Sequence, residues 1–110
     1  MTLDVIIDDN STTVEIGNPY KYDLNAVVSQ ISRFASSKGA DISRLDVGSL
    51  IPQMIRGVAG CEHGCPSNAK DLVSRGFGNF DLQYIEGGIL SARAPIGTGK
   101  FFSLKMFPDF

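Results

Sequence analysis

"FDLQYIEGGILSARA", residues 80–94, carries the clearest sign of the fold, because the parity of its apolar residues fixes the strand register better than propensity does. A two-residue turn at Gly87-Gly88 would set Leu82 against Arg93 and Tyr84 against Ser91, mixing polar and apolar side chains on both faces. A three-residue loop, Glu86-Gly87-Gly88, instead pairs Phe80 with Ala94, Leu82 with Ala92 and Tyr84 with Leu90. One residue of slip turns every side chain over, so the segment predicts a hairpin with a bulge and with Gly88 as its left-handed residue.

The same parity extends toward the C-terminus. Ala94 pairs with Phe102, Ala92 with Leu104 and Leu90 with Met106 around a turn centred on Thr98. The chain from Phe80 onward thus reads as a three-stranded antiparallel meander. Its outer face sets Asp81 against Arg93 and Ser91 against Lys105, an exposed ion pair worth about 0–1 kcal/mol.

Toward the N-terminus, LDVIIDDNSTTVEI (3–16) alternates as a hairpin in which Leu3 faces Ile16, Val5 faces Val14 and Ile7 faces Thr12. Asp9-Asn10 is then the two-residue turn, both residues tolerating positive φ. Leu24, Val27, Val28, Ile31, Phe34 and Ala35 recur at helical spacing, with Tyr22 or Asp23 at the start and Gly39 as the stop. A second helix carries Leu50, Ile51, Met54, Ile55 and Val58, capped by Asp46 or Ser49, with Pro52 tolerable only in its first turn. A short third helix runs from Pro66, suited to the first helical position, to the Gly76 stop. The expected fold is α+β: a two-layer sandwich in which the N-terminal hairpin and the meander form an antiparallel sheet with two or three helices on one face. Strand order does not follow from one sequence. The 110 residues suffice for one domain, 1–110, with a hydrophobic core of its own.

Composition excludes several classes of function. A net charge of -2 with Lys and Arg scattered singly offers no footprint for nucleic acid or a membrane surface. No apolar stretch approaches a membrane span, and the acidic N-terminus is the opposite of a secretory leader, so the expected location is cytoplasmic.

The chemistry concentrates in GCEHGC (60–65), which holds both cysteines and the one histidine of the chain. With Pro66 opening a helix, Cys65 is its N-cap, where free N–H groups and the helix dipole favour a thiolate. Cys61, His63 and Cys65 are the candidate metal ligands, zinc first and iron or an iron-sulfur cluster second. A fourth ligand would come from Glu62, a distant carboxylate, solvent or a second subunit. A bridged or mixed-ligand cluster is the weaker option, since two thiolates fall short of the usual four. The same residues admit thiol-redox or metal-dependent catalysis, with Cys65 reactive, Cys61 resolving and His63 acting as acid or base. The Cys-x-x-Cys signature is missing, however, and a purely structural loop accounts for the residues equally well. IGTGK (96–100) lacks the glycine spacing, the Ser or Thr and the helix of a phosphate loop, so it is a hairpin turn. No G-x-S-x-G elbow is present.

The functional expectation is a small accessory or protein-binding domain with no evident catalytic machinery. Its contact to a protein partner or a second copy would run through Ile6, Ile85, Ile89 and Phe101, apolar residues on the nominal outer face. The competing expectation is that the MFPDF tail folds back and covers that face with Phe107 and Phe110.

Overall fold

The computed structural model describes residues 1–59, 67–85 and 87–108. Five strands and three helices follow in the order β1 (Thr2–Ile7), β2 (Asn10–Glu15), α1 (Leu24–Ser37), α2 (Val47–Ala59), α3 (Ser67–Arg75), β3 (Asp81–Ile85), β4 (Ile89–Gly97) and β5 (Lys100–Phe107). The strands form one antiparallel sheet in the order β2-β1-β5-β4-β3. The α+β expectation holds, and the join left open by the sequence is β1 against β5, with Val5 opposite Leu104 and Leu3 opposite Met106.

Alternation sorts the sheet into two faces. Leu3, Val5, Ile7, Val14, Leu82, Leu90, Ala92, Ala94, Phe102, Leu104 and Met106 are buried on the inner one. The helices pack there, α1 against β2, α2 against β4 and β5, and α3 against β3. Val27, Ile31 and Ala35 of α1, with Leu50, Ile51, Met54 and Ile55 of α2, complete the core. Asp23 caps α1 through its side chain, which accepts from the Ala26 N–H at 3.1 Å. At the other end Gly39 takes φ +69°, and the Ala40 N–H returns to the Ala35 carbonyl at 2.9 Å, closing α1 as a Schellman turn.

The meander forms in the expected register, with Leu82 opposite Ala92, Tyr84 opposite Leu90, and Ala94, Ala92 and Leu90 opposite Phe102, Leu104 and Met106. Ile85 lies opposite Ile89, which leaves residues 86–88 between the strands. Gly87 and Gly88 both have positive φ (95° and 83°), where a single left-handed residue was expected. Glu86 lies outside the described residues.

Four expectations need correction. The Phe80–Ala94 pair gives way to a ladder that starts at Asp81–Arg93, because Phe80 closes a tight turn with Phe77 and donates its N–H to the Phe77 carbonyl at 2.9 Å. The first hairpin is shifted by two residues: Leu3 faces Val14, Val5 faces Thr12, and Asp8-Asp9 is the turn, Asp8 taking φ +54°. A shift of two preserves every face, so alternation cannot distinguish the two registers. The observed one lets the Ile16 N–H reach the Met1 carbonyl at 3.0 Å and sets the Thr13 hydroxyl on the Asp4 carboxylate at 2.9 Å. The β4–β5 turn is Thr98-Gly99 with Gly97 opposite Lys100, an irregularity near Ile96 replacing the odd-numbered loop. Finally, α2 begins at Val47, so Pro52 lies in its second turn rather than its first; the Asp46 carbonyl takes the first helical bonds, from Ser49 and Leu50. Pro52 has no N–H to give to the Gly48 carbonyl, so the helix carries that cost of one bond within a strongly apolar segment.

Candidate functional site

Cys61, Glu62, His63, Cys65 and Pro66 lie outside the described residues, and with them the expected metal or thiol centre and the expected start of α3 at Pro66. What the structure describes is the frame around that segment. α2 ends at Ala59 and α3 begins at Ser67, and the two helices approach closely at Gly57. A Cβ on Gly57 would lie 3.3 Å from the Ala69 Cα and 3.4 Å from Leu90 Cδ2. Only a glycine lets the helices meet at this spacing without displacement. Among the described residues no group of three or more His, Cys, Asp or Glu side chains is placed to hold a metal ion.

The outer face of the sheet is the second candidate surface. Its register can be read row by row. Ser11, Ile6, Ser103, Arg93 and Asp81 form one row, and Thr13, Asp4, Lys105, Ser91 and Gln83 the next. Apolar side chains gather at the two ends. At one end Phe101 faces Pro95, with the Arg93 guanidinium 3.7 Å above the Phe101 ring. At the other, Ile85 faces Ile89, and Phe107 lies across from Thr2 as the last residue of β5. The expected patch of Ile85, Ile89 and Phe101 is therefore divided, since Ile89 and Pro95 are about 20 Å apart along β4. Ile85 (39% exposed) and Phe101 (38%) remain among the most exposed large apolar residues. Phe107 belongs to the strand itself, so it does not fold back as a cover; Phe110 lies outside the described residues. Asp81 and Arg93 stand opposite each other as expected, but the expected ion pair between them does not form: the Arg93 guanidinium lies instead over the Phe101 ring, one step along the face on the neighbouring strand.

A third feature was not legible as a site in the sequence. A cleft of about 450 Å³ opens between the chain at Pro19-Tyr20 and the helices α2 and α3. Gln53 and Arg56 line it from α2, Asp71, Leu72 and Arg75 from α3. Arg75 donates from Nη1 to Gln53 Oε1 at 3.0 Å and from Nε to Asp71 Oδ2 at 3.3 Å. Tyr20 donates from its hydroxyl to the Ala59 carbonyl at 3.4 Å. The i, i+4 spacing of Asp71 and Arg75 and the i, i+3 spacing of Gln53 and Arg56 were visible, but the meeting of the two helices was not.

Among the described residues no helix is long and apolar enough to cross a membrane. The chain matches no protein-family model, no curated protein and no solved structure.

Proposed function

We propose that the chain is a small cytoplasmic binding domain, 1–110, that works through the outer face of its sheet and carries a zinc site at Cys61, His63 and Cys65. The observation that carries the contact surface is a five-stranded face that, among the described residues, no helix packs against, with Ile85 and Phe101 exposed on it. The proposed occupant is a second copy. A two-fold axis perpendicular to the strands lays the Phe101–Pro95 end of one face on the Ile85–Ile89–Phe107 end of the other, an isologous contact. Between those ends Asp4 and Asp81 balance Arg93 and Lys105, so the overlapped rows carry no net charge. Five strands about 4.8 Å apart and six residues of about 3.4 Å give a face whose pairing covers roughly 1,000 Å² in total, the low end for a specific interface. The expected dimer is weak, in the micromolar range.

Sedimentation equilibrium tests the contact. Dimerisation with a dissociation constant of about 1–100 μM is expected, weakened at least tenfold by Phe101→Glu or Ile85→Glu; a chain that stays monomeric at millimolar concentration would refute it. Elemental analysis with thiol counting on protein purified anaerobically without chelator tests the metal site. Stoichiometric zinc that disappears in Cys61→Ser or Cys65→Ser supports it. Metal-free protein with two free, unreactive thiols returns the loop to a structural role.

A further inference from the structure

The cleft beside α2 and α3 brings together groups that neither the core nor the sheet face requires. Tyr20 is the most exposed of the large hydrophobic side chains among the described residues, at 72%. Its position is nevertheless built. Asn18 accepts from the Tyr20 N–H with its side chain at 2.8 Å and from the Lys21 N–H with its carbonyl at 3.2 Å, and Pro19 occupies the second position of this turn. The hydroxyl bond to the Ala59 carbonyl then ties the ring to the end of α2, 39 residues away. A largely exposed aromatic ring tethered beside a cleft offers a stacking surface.

The charge in the cleft is equally specific. Among the described residues two guanidiniums, Arg56 and Arg75, and one carboxylate, Asp71, line the cleft, a positive balance on a chain of net charge -2. The bonds to Gln53 and Asp71 engage two of the five N–H donors of Arg75 and orient its guanidinium plane. A planar cation with donors to spare matches the paired oxygens of a carboxylate or phosphate. The volume of about 450 Å³ lies within the range of small-molecule sites, about 300–1,000 Å³.

We infer that this cleft binds a small organic anion consisting of a flat ring that carries a phosphate or carboxylate. The ring stacks on Tyr20 and the oxyanion is held by Arg75 and Arg56. The residues that carry this inference lie on α2, α3 and the Pro19-Tyr20 turn, so it rests on neither the sheet-face proposal nor the zinc proposal.

The test is a titration of the ¹⁵N-labelled full chain, followed by amide chemical shifts, with phenyl phosphate, inorganic phosphate and benzyl alcohol as separate probes. Phenyl phosphate is expected to give saturable shifts confined to residues around Tyr20, Gln53–Ala59 and Asp71–Arg75. Inorganic phosphate and benzyl alcohol should bind at least tenfold more weakly. Arg75→Met and Tyr20→Ala, both at exposed positions, should each weaken phenyl phosphate at least tenfold, and Lys100→Met, at the far turn, should leave it unchanged. Arg56→Met supplies the same readout if Arg75→Met loses its dispersed spectrum. Shifts that do not saturate, that spread over the other lysines and arginines, or that persist unchanged in the arginine variants would overturn the inference. Equal binding of inorganic phosphate would overturn the role of the ring.

Discussion

Asp41 shows how a single residue's chemistry follows from its turn. The Ser43 hydroxyl first, then the Ser43 N–H at 3.0 Å, holds its carboxyl below the ordinary aspartate range; Arg44 adds a smaller effect in the same direction, against a small desolvation cost. The stabilisation linked to this carboxylate is present above the ordinary aspartate value and is lost as pH falls through the depressed one. Ser43→Ala should raise the Asp41 titration midpoint in a carbonyl NMR titration but leave part of the depression, because the backbone N–H remains; an unmoved midpoint would contradict the hydroxyl's role. Gly88 is the other residue whose identity is dictated locally. At φ +83° a β-branched side chain is strained, so Gly88→Val should destabilise the fold by about 1–2 kcal/mol in urea denaturation and disturb the shifts of β3 and β4. Unchanged stability and shifts would remove the argument for a left-handed residue there.

Among the elements, α2 and α3 are set by a glycine contrast within one helix. Nothing lies within 4 Å of a Cβ on Gly48, whereas a Cβ on Gly57 meets the Ala69 backbone at 3.3 Å. Gly48→Ala should therefore stabilise by up to about 1 kcal/mol through helix propensity. Gly57→Val should destabilise by about 1–3 kcal/mol through overpacking against a neighbour that is backbone and cannot rotate away. Thermal denaturation of the two variants checks this. A Gly57→Val variant as stable as the parent would mean that α3 tolerates displacement from α2 and that the close approach is not required. The distinction also bears on the cleft, because Gly57 lines it and Arg75 reaches Gln53 across the helix pair.

On the scale of the whole molecule, the β1–β5 pairing makes one cooperative sheet of the two ends of the chain. Leu104 is fully buried between Val5 on one side and Ala92 on the other. Leu104→Ala should cost about 2–5 kcal/mol, and it should do so equally for the first hairpin and for the meander. Hydrogen exchange at Val5 and at Leu82 reads this: both amides should lose protection together, and loss confined to one would show that the two sheet halves open separately. Phe101→Ala, on the outer face, should change stability by less than about 1 kcal/mol. The outer face and the inner one thus differ in what their apolar residues do: Leu104 holds the fold, and Phe101 is available for contact.

The meander was legible in the sequence because two signals agree there: parity puts Leu82, Tyr84, Leu90, Ala92, Ala94, Phe102, Leu104 and Met106 on one face, and the glycines at 87 and 88 select the three-residue loop among pairings of that parity. The sequence by itself also determined α1 and its ends, since Asp23 and Gly39 are local chemical signals at the boundaries of a periodic apolar stripe. The first hairpin was legible in its faces but not in its register, as a two-residue shift conserves alternation and both turns supply residues that accept positive φ. Only the tertiary structure decided that β1 lies beside β5, that the outer apolar residues divide into two ends, and that Tyr20, Arg56 and Arg75 share a cleft. Each of these is a contact between segments remote in sequence. Periodicity records which face of an element is apolar; which other element it meets depends on burying all those faces at once.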